Sequence, residues 1–307
     1  MRVIPPITGA STLLLDAMLT SSSVAEPAAG ETVWSAATAY SVGQEAIRVG
    51  THRKYARLVA GTTATPPEND PLNWFDVGAT LRWAMFDTLR NTATVSASPL
   101  TVVITPGQRV DAIALMAVLA DSATVSMVVG GSTVYTRTTL LNSRTVTNLY
   151  QFFFEPFTNQ PSLVLFDVPP YSAGVITVTF TRASGSVACG ACLVGVSQFL
   201  GDADYNALRD ALNFSSVTRD VYGNATLVPR RSVPKTNQTL YVGKAEVPRL
   251  LDLQASLNAV PAVYSGLDDR SADGYFEALL ILGIYKQFGI NLAYPKKAKV
   301  TLELEEI

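Results

Sequence analysis

The sequence predicts a mainly β protein: a small aromatic-rich β module, then an antiparallel β-sandwich, then a C-terminal mainly β domain with one helix. Three observations predict it. Seven runs rich in β-branched and aromatic residues follow one another between residues 98 and 196, separated by Gly and Pro. A Trp- and Tyr-rich stretch precedes them, and a segment near residue 250 carries helical periodicity. With 307 residues, the chain has room for about two to three domains.

Residues 1–30 are expected to form an extended N-terminal arm. Pro5 and Pro6 come early, and the stretch 20–27 consists mostly of small and polar residues with little periodicity. A segment of this kind seldom forms a core of its own. We therefore expect an arm that orders on a neighbouring subunit, or a loose tail. The apolar stretch 13–15 is too short for a secretory signal, which predicts folding in the cytoplasm.

Residues 31–80 are expected to form a small β module that binds a glycan. A flat aromatic ring covers the apolar face of a sugar, while nearby polar groups reach its hydroxyls. Asn73 and Asp76 are the candidate polar partners. The alternative is that the rings fill the core, because a module of about 50 residues has few other large side chains. The candidate glycan-binding rings are Trp34, Tyr40, Tyr55 and Trp74.

Residues 81–200 are expected to form an antiparallel β-sandwich of the jelly-roll or galactose-binding-like type. The turns between its strands contain Pro-Gly, Gly-Gly and Pro-Pro pairs. This architecture serves many functions and names none of them. The predicted strands are 98–105, 112–119, 124–129, 133–138, 162–167, 175–180 and 187–196.

The junction between module and sandwich is expected to be a buried seam. Trp83, Met85 and Phe86 favour burial, and Arg82 and Asp87 are expected to satisfy backbone groups or one another. A contact with a symmetry-related subunit is the alternative interpretation.

Residues 201–307 are expected to form a domain of one helix packed on a small sheet. The helix is predicted over 246–257, because apolar residues recur there at helical spacing and Pro248 suits a first turn. The predicted strands are 214–219, 226–231, 239–242, 278–284, 288–293 and 299–305.

Two families share motifs with this chain. The aromatic spacing of residues 31–80 resembles the small glycan-binding modules appended to chitinases and cellulases. The run 81–87, Leu-Arg-Trp-Ala-Met-Phe-Asp, resembles a signature of tailed-bacteriophage structural proteins, and so do the stretches 220–231 and 282–288. The resemblance implies a virion protein of the tail tip, baseplate or neck, assembled in the host cytoplasm. It implies other virion proteins, copies of itself and a bacterial surface glycan as partners. The alternative function is a carbohydrate-binding protein that recognises the host surface through residues 31–80.

Composition also favours assembly. Hydrophobic residues make up 48% of the chain and charged residues only 16%, against roughly 25% in ordinary soluble domains. Apolar surface with few charges to cover it predicts burial against neighbouring subunits, although a β-rich monomer decorated with Ser and Thr is the alternative. The net charge of −2 argues against nucleic acid as a partner. No apolar run reaches the ~18–20 residues of a spanning helix, so we expect no membrane insertion.

The sequence offers little for catalysis, a metal or a cofactor. His52 is the one histidine and lies among basic residues that disfavour a role as general base. Cys189 and Cys192 could be half of a zinc site, but two further ligands are missing. Three residues apart on one strand, they would face opposite sides as buried free thiols. Asp268, Asp269 and Asp273 lack the spacing of a calcium loop.

We therefore expect no enzyme, no cofactor and no metal. No Walker loop or dinucleotide-binding fingerprint occurs in the sequence. A glycan-degrading enzyme with a binding module remains the alternative, because a catalytic carboxylate pair is recognised by its separation in the fold and not by sequence.

Overall fold

The computed structural model describes residues 1–9, 12–144, 146–268, 275–292 and 294–307. Strands account for 46% and helical segments for 10%, and the strands form antiparallel sheets, so the predicted mainly β class is confirmed. The strands are β1 (Arg2–Ile4), β2 (Leu19–Ser22), β3 (Glu45–Arg48), β4 (Arg53–Arg57), β5 (Trp74–Ala79), β6 (Thr94–Ala97), β7 (Leu100–Ile104), β8 (Ala112–Met116), β9 (Ser122–Val129), β10 (Ser132–Leu140), β11 (Asn142–Ser143), β12 (Thr158–Asn159), β13 (Leu163–Leu165), β14 (Val175–Thr181), β15 (Ser186–Cys189), β16 (Ala191–Gly195), β17 (Gln198–Phe199), β18 (Asp202–Ala203), β19 (Leu208–Asn213), β20 (Ser216–Arg219), β21 (Ala225–Val228), β22 (Ser232–Gly243), β23 (Ala262–Ser265), β24 (Leu280–Asn291) and β25 (Lys297–Glu306). The α-helices are α1 (Leu149–Phe154) and α2 (Val247–Ser256), and short 3-10 helices cover Asp16–Met18, Pro67–Asn69, Ala84–Phe86, Lys244–Glu246 and Glu277–Leu279.

Three stacked sheets form the body of the molecule. A five-stranded sheet has the order β10-β9-β14-β7-β2, and a three-stranded sheet has the order β13-β8-β16. An eight-stranded sheet has the order β17-β1-β23-β24-β25-β22-β18, with β19 also paired to β22. The three-stranded sheet is shared by two hydrophobic cores, one toward each of the larger sheets. The remaining pairs are the module sheet β3-β4-β5 and the ribbons β6-β15, β11-β12 and β20-β21.

The three-stranded sheet is buried on both faces. On β8, Ile113 and Leu115 belong to the core shared with the five-stranded sheet. Ala112, Ala114 and Met116 belong to the core shared with the eight-stranded sheet. Because neither face of β8 contacts water, none of its positions favours a polar residue. This explains its unbroken apolar run.

Helix α2 covers the far face of the eight-stranded sheet. Leu250 and Leu257 are buried in a third core together with Tyr264 and Leu302. The predicted helix over 246–257 is confirmed within one residue at either end, and Pro248 lies in its first turn as expected.

Residues 1–30 differ from the extended arm that we expected. Strand β1 lies between β17 and β23 in the eight-stranded sheet, and β2 forms an edge of the five-stranded sheet. The Met1 ammonium donates a hydrogen bond of 2.8 Å to the Gly201 carbonyl. Strands of three or four residues are too short to show a period, and their partners lie 80 or more residues away along the chain, so no local pattern reveals them.

Each of the seven runs predicted for the sandwich contains a strand, but the run 187–196 is interrupted. It breaks at Gly190 into β15 and β16, which belong to different sheets. The break resets the alternation, so Cys189 and Cys192 both face the same core, and the prediction of opposite faces is wrong. Both thiols are buried and free. Burial raises the pKa of both thiols, that of Cys192 to about 12.

The structure differs from the sequence predictions at two further places, one strand near the C-terminus and one helix in the sandwich. The strands predicted over 278–284 and 288–293 are one strand, β24, which continues through a bulge opposite β25; Ala293 lies outside the described residues. Helix α1 was not predicted.

Among the described residues, no helix combines the length and apolar character needed to cross a bilayer.

The close approach of β24 to β25 before the bulge requires Gly283. A Cβ at this position would lie far inside contact distance of the Glu305 backbone carbonyl, whereas a Cβ at Gly289 on the same strand would meet no atom nearer than 4.0 Å. We expect Gly283→Ala to lower the free energy of unfolding by about 1–3 kcal/mol. Chemical denaturation followed by circular dichroism measures this effect. Gly289→Ala is the matched control, and equal losses in the two variants would contradict the packing described for β24.

Candidate functional site

The aromatic rings predicted to bind a glycan form the core of the module. Tyr40 and Trp74 are each 2% exposed, and their rings meet edge to face at 5.0 Å. Tyr55 is buried beside them, and Trp34 packs against the cluster. The guanidinium of Arg57, itself buried, lies 4.9 Å from the centre of the Trp74 ring. With Tyr40 and Arg57 packed against it, the buried Trp74 ring has no face open to a sugar.

The expectation of an exposed four-ring platform is therefore corrected. A ring stacks on a sugar only if one face is accessible, and Tyr40, Tyr55 and Trp74 are buried. Trp34 is half-buried, and the Arg48 guanidinium lies 5.0 Å from the centre of its ring. The physical reason is size: three short strands enclose little volume, so the largest side chains fill it.

The candidate polar partners also serve the module's own structure. Asn73 Nδ2 donates to both carboxylate oxygens of Asp70 at 2.9 Å. Asp76 accepts from Arg53 at 2.8 Å and from the backbone N–H of Gly78 at 3.0 Å. Neither residue lies beside an exposed ring of the four that we expected to bind a glycan.

The junction is the buried seam that the sequence predicts. Trp83, Met85 and Phe86 all belong to the sandwich core. Asp87 accepts hydrogen bonds from the Leu89 backbone N–H at 2.8 Å and from the Thr92 hydroxyl at 2.7 Å. Burial raises the pKa of the Asp87 carboxyl. No ion pair between described residues joins Arg82 to Asp87.

A buried carboxylate, Glu26, fastens the module to the sandwich. The Glu26 side chain is 4% exposed and accepts from three donors: the Thr80 hydroxyl at 2.7 Å, Trp83 Nε1 at 3.0 Å and His52 Nδ1 at 2.9 Å. The His52 ring stacks on the Trp83 ring at 4.2 Å. These residues come from the first 30 residues, the module and the junction, so one carboxylate joins three segments.

The surroundings of His52 differ from those that the sequence suggests. Its nearest charged groups are carboxylates, Glu26 on Nδ1 and Asp16 at 3.4 Å from Nε2, although Arg53 and Lys54 follow it in the chain. The ring lines a cavity of about 270 Å³. The hydroxyl of Thr80 and the indole N–H of Trp83 point at Glu26 and not into this cavity. The arrangement therefore fixes segments in place.

The structure also displays two features that the site predictions missed, and both are exposed. The first is a hairpin arm, residues 214–231, built on β20 and β21. Among the strands of the described residues, β20 and β21 pair only with each other. The second is an aromatic loop around α1, residues 144 and 146–157. The first contains strands that the sequence predicts, but their exposure cannot be recognised from apolar content alone.

Within the described part of the chain, no cluster of three or more His, Cys, Asp or Glu side chains could hold a metal ion. Asp268 pairs with Arg2 at 3.1 Å. Asp269 and Asp273, considered above for a cation, lie outside the described residues.

Comparison of the chain with protein-family models, with curated proteins and with solved structures found no match in any of the three.

We expect Trp74→Ala to destabilise the module by about 3–5 kcal/mol, because the substitution leaves a cavity beneath Tyr40 and Arg57. The neighbouring Phe75 is 61% exposed, and Phe75→Ala should cost little. Hydrogen exchange of the β3, β4 and β5 amides reports module opening in both variants. A Trp74→Ala variant with unchanged exchange would show that the ring is not core.

We expect Glu26→Ala to lower the free energy of unfolding by about 3 kcal/mol, because it leaves the buried donors of Thr80 and Trp83 and the half-buried His52 ring without their acceptor. Glu45 pairs with Lys54 at the surface, so Glu45→Ala is the matched control and should cost less than about 0.5 kcal/mol. Denaturant titration at neutral pH measures both. The fastening role would be refuted by equal costs.

Proposed function

We propose that this protein is a structural subunit that assembles with copies of itself and with other proteins, as a part of the tail tip, baseplate or neck of a tailed-phage virion. The single observation that carries the proposal is the hairpin arm. All residues of β20 and β21 are exposed on both faces of the ribbon, including Val217, Leu227 and Val228. At its tip, Val221 and Tyr222 are about nine-tenths exposed.

A two-stranded ribbon of this kind gains little by standing in water. An isolated hairpin is marginally stable, and its outer backbone groups are ready to pair with another chain. Exposed apolar side chains on both faces add a hydrophobic gain on burial. A surface of a neighbouring subunit supplies what the ribbon lacks.

The arm is ordered by local contacts at its tip. Asp220 accepts from the backbone N–H groups of Tyr222 and Asn224 at 2.9 Å, and from the Asn224 side chain at 2.8 Å. These hydrogen bonds lower the pKa of the Asp220 carboxyl. The turn is therefore set before any partner binds.

The base of the arm is fixed to the body. Arg231 Nη2 lies 2.7 Å from the buried carboxylate of Glu306, which Arg90 also contacts at 2.9 Å. Arg231 also donates to the Ile307 carbonyl at 2.7 Å. Because its base and its tip are both ordered, the ribbon projects in a defined direction. This favours an arm that binds a neighbouring subunit in one orientation over a flexible linker.

The phage part of the proposal is supported by the position of the motifs. The stretch 220–231, which resembles phage structural proteins, lies on the arm itself, and the run 81–87 lies on the seam that Glu26 fastens. A glycan-recognition function has weaker support, because three of its four candidate rings are buried.

We expect the wild-type chain to associate at micromolar concentrations and the double variant Val217→Thr with Leu227→Thr to associate about tenfold or more weakly. Thr keeps the strand preference while removing apolar area from one face. The control carries Thr218→Ser and Thr226→Ser, a cross-strand pair on the opposite face of the same ribbon. Sedimentation velocity measures association. A monomeric wild type, or a double variant that associates like the wild type, would contradict the role of the arm.

A further inference from the structure

The aromatic loop, residues 144 and 146–157, leaves the sandwich between β10 and β13. The short ribbon of β11 and β12 closes its base through the pairs Asn142 with Asn159 and Ser143 with Thr158. Helix α1 lies at its end and contributes no buried residue. The loop therefore stands outside the three cores of the body.

Local hydrogen bonds hold the conformation of α1. Asn148 Oδ1 accepts from the Gln151 backbone N–H at 2.8 Å, and Gln151 Oε1 accepts from the Thr147 backbone N–H at 2.8 Å. This reciprocal pattern resembles a capping box, except that Gln151 accepts from the residue before the N-cap Asn148. A helix of six residues is otherwise unstable in water, so the caps keep ordered a segment that contributes no buried residue.

The apolar side chains of the loop form one continuous patch. Tyr150 contacts Phe154 at 4.9 Å between ring centres, Phe153 contacts Phe152 at 5.2 Å, and Phe153 contacts Phe154 at 6.4 Å. The Arg144 guanidinium lies 5.2 Å from the centre of Phe152 and 4.8 Å from that of Phe157, and bridges the two rings. The exposed fractions are 77% for Leu149, 71% for Tyr150, 50% for Phe152, 69% for Phe153 and Phe154, and 63% for Phe157.

The area of the patch fits one half of a stable protein interface. Six side chains of this size at these exposures present roughly 900 Å², against ~800 Å² per partner in a standard interface. The largest apolar patch on a typical monomer is only ~300–600 Å².

The charges of the patch complement each other. Arg144 and Glu155 are its two charged residues, and neither takes part in an ion pair between described residues. A surface with one positive and one negative group beside apolar rings can bind its own twofold image, because each charge then meets the opposite one. A lipid surface is disfavoured as the partner, since amphipathic helices that lie on membranes carry several Lys or Arg residues on their polar face.

We propose that the aromatic loop binds the aromatic loop of a second copy across a twofold axis, with Arg144 of each copy opposite Glu155 of the other. This contact rests on the proposed assembly function and specifies one of its interfaces. The rings supply the buried area, and the two charge pairs fix the register of the copies.

Charge reversal in the full chain tests this contact. Arg144→Glu alone and Glu155→Arg alone should each weaken dimer formation about tenfold or more, because like charges then face each other. An equimolar mixture of the two single variants should restore dimers, since each charge again meets its opposite, and so should the double variant. Lys296→Glu, an exposed substitution on the connection between β24 and β25, is the control for net charge. Native mass spectrometry distinguishes mixed from like dimers.

Loss of association in both single variants without rescue would overturn the proposal, and so would unchanged association. Binding of the wild type to phosphatidylcholine vesicles, abolished by Phe153→Ser, with no dimer in solution would assign the patch to lipid and also overturn it. The arm variant Val217→Thr with Leu227→Thr separates the two proposals. If it abolishes all association, the loop contact fails. If it loses part of the wild-type association and the remaining dimers follow the Arg144 and Glu155 charges, both contacts stand. If it associates like the wild type and this association follows those charges, the loop contact stands and the arm fails.

Discussion

Burial of the three-stranded sheet β13-β8-β16 on both faces is the constraint on which the rest of the structure depends. Ile113 and Leu115 need the five-stranded sheet to cover them, and Ala114 and Met116 need the eight-stranded sheet. Neither outer sheet is therefore optional. The close approach is visible at Gly195, where a Cβ would collide with Ile4 of β1, so the N-terminal strand is pressed directly against the central sheet.

The same constraint explains why the first 30 residues are structural. Strand β1 completes the eight-stranded sheet, β2 extends the five-stranded sheet, and Glu26 then fastens the module through Thr80, His52 and Trp83. One short segment thus connects the layers. The sheets of the body bury their apolar positions against one another, whereas the hairpin arm and the aromatic loop each hold a group of exposed apolar side chains. We propose that these two groups contact other subunits.

Much of the fold could be predicted because its strands carry local signals. In strands β9 and β25 buried residues alternate with half-buried or exposed ones, and α2 begins with Pro248 in its first turn. The partners of Glu26 could not be predicted, since they lie 26 to 57 residues away and no period links them. Residue type identified the rings of the module but not whether they point inward or outward. A Tyr or Trp such as Tyr40 or Trp74 is equally suited to fill a core and to stack on a sugar. The capping pair of Asn148 and Gln151 was a usable signal for α1.

The central claim is that the surfaces left exposed by this closed body bind other copies of the chain. Hydrogen exchange of the full chain, compared at high and low protein concentration, tests it most directly. The account predicts that amides of residues 214–231 and 149–157 exchange more slowly at the higher concentration, while those of the three cores are unchanged. Identical exchange across the arm and the aromatic loop at both concentrations, from a protein that remains monomeric, would contradict it.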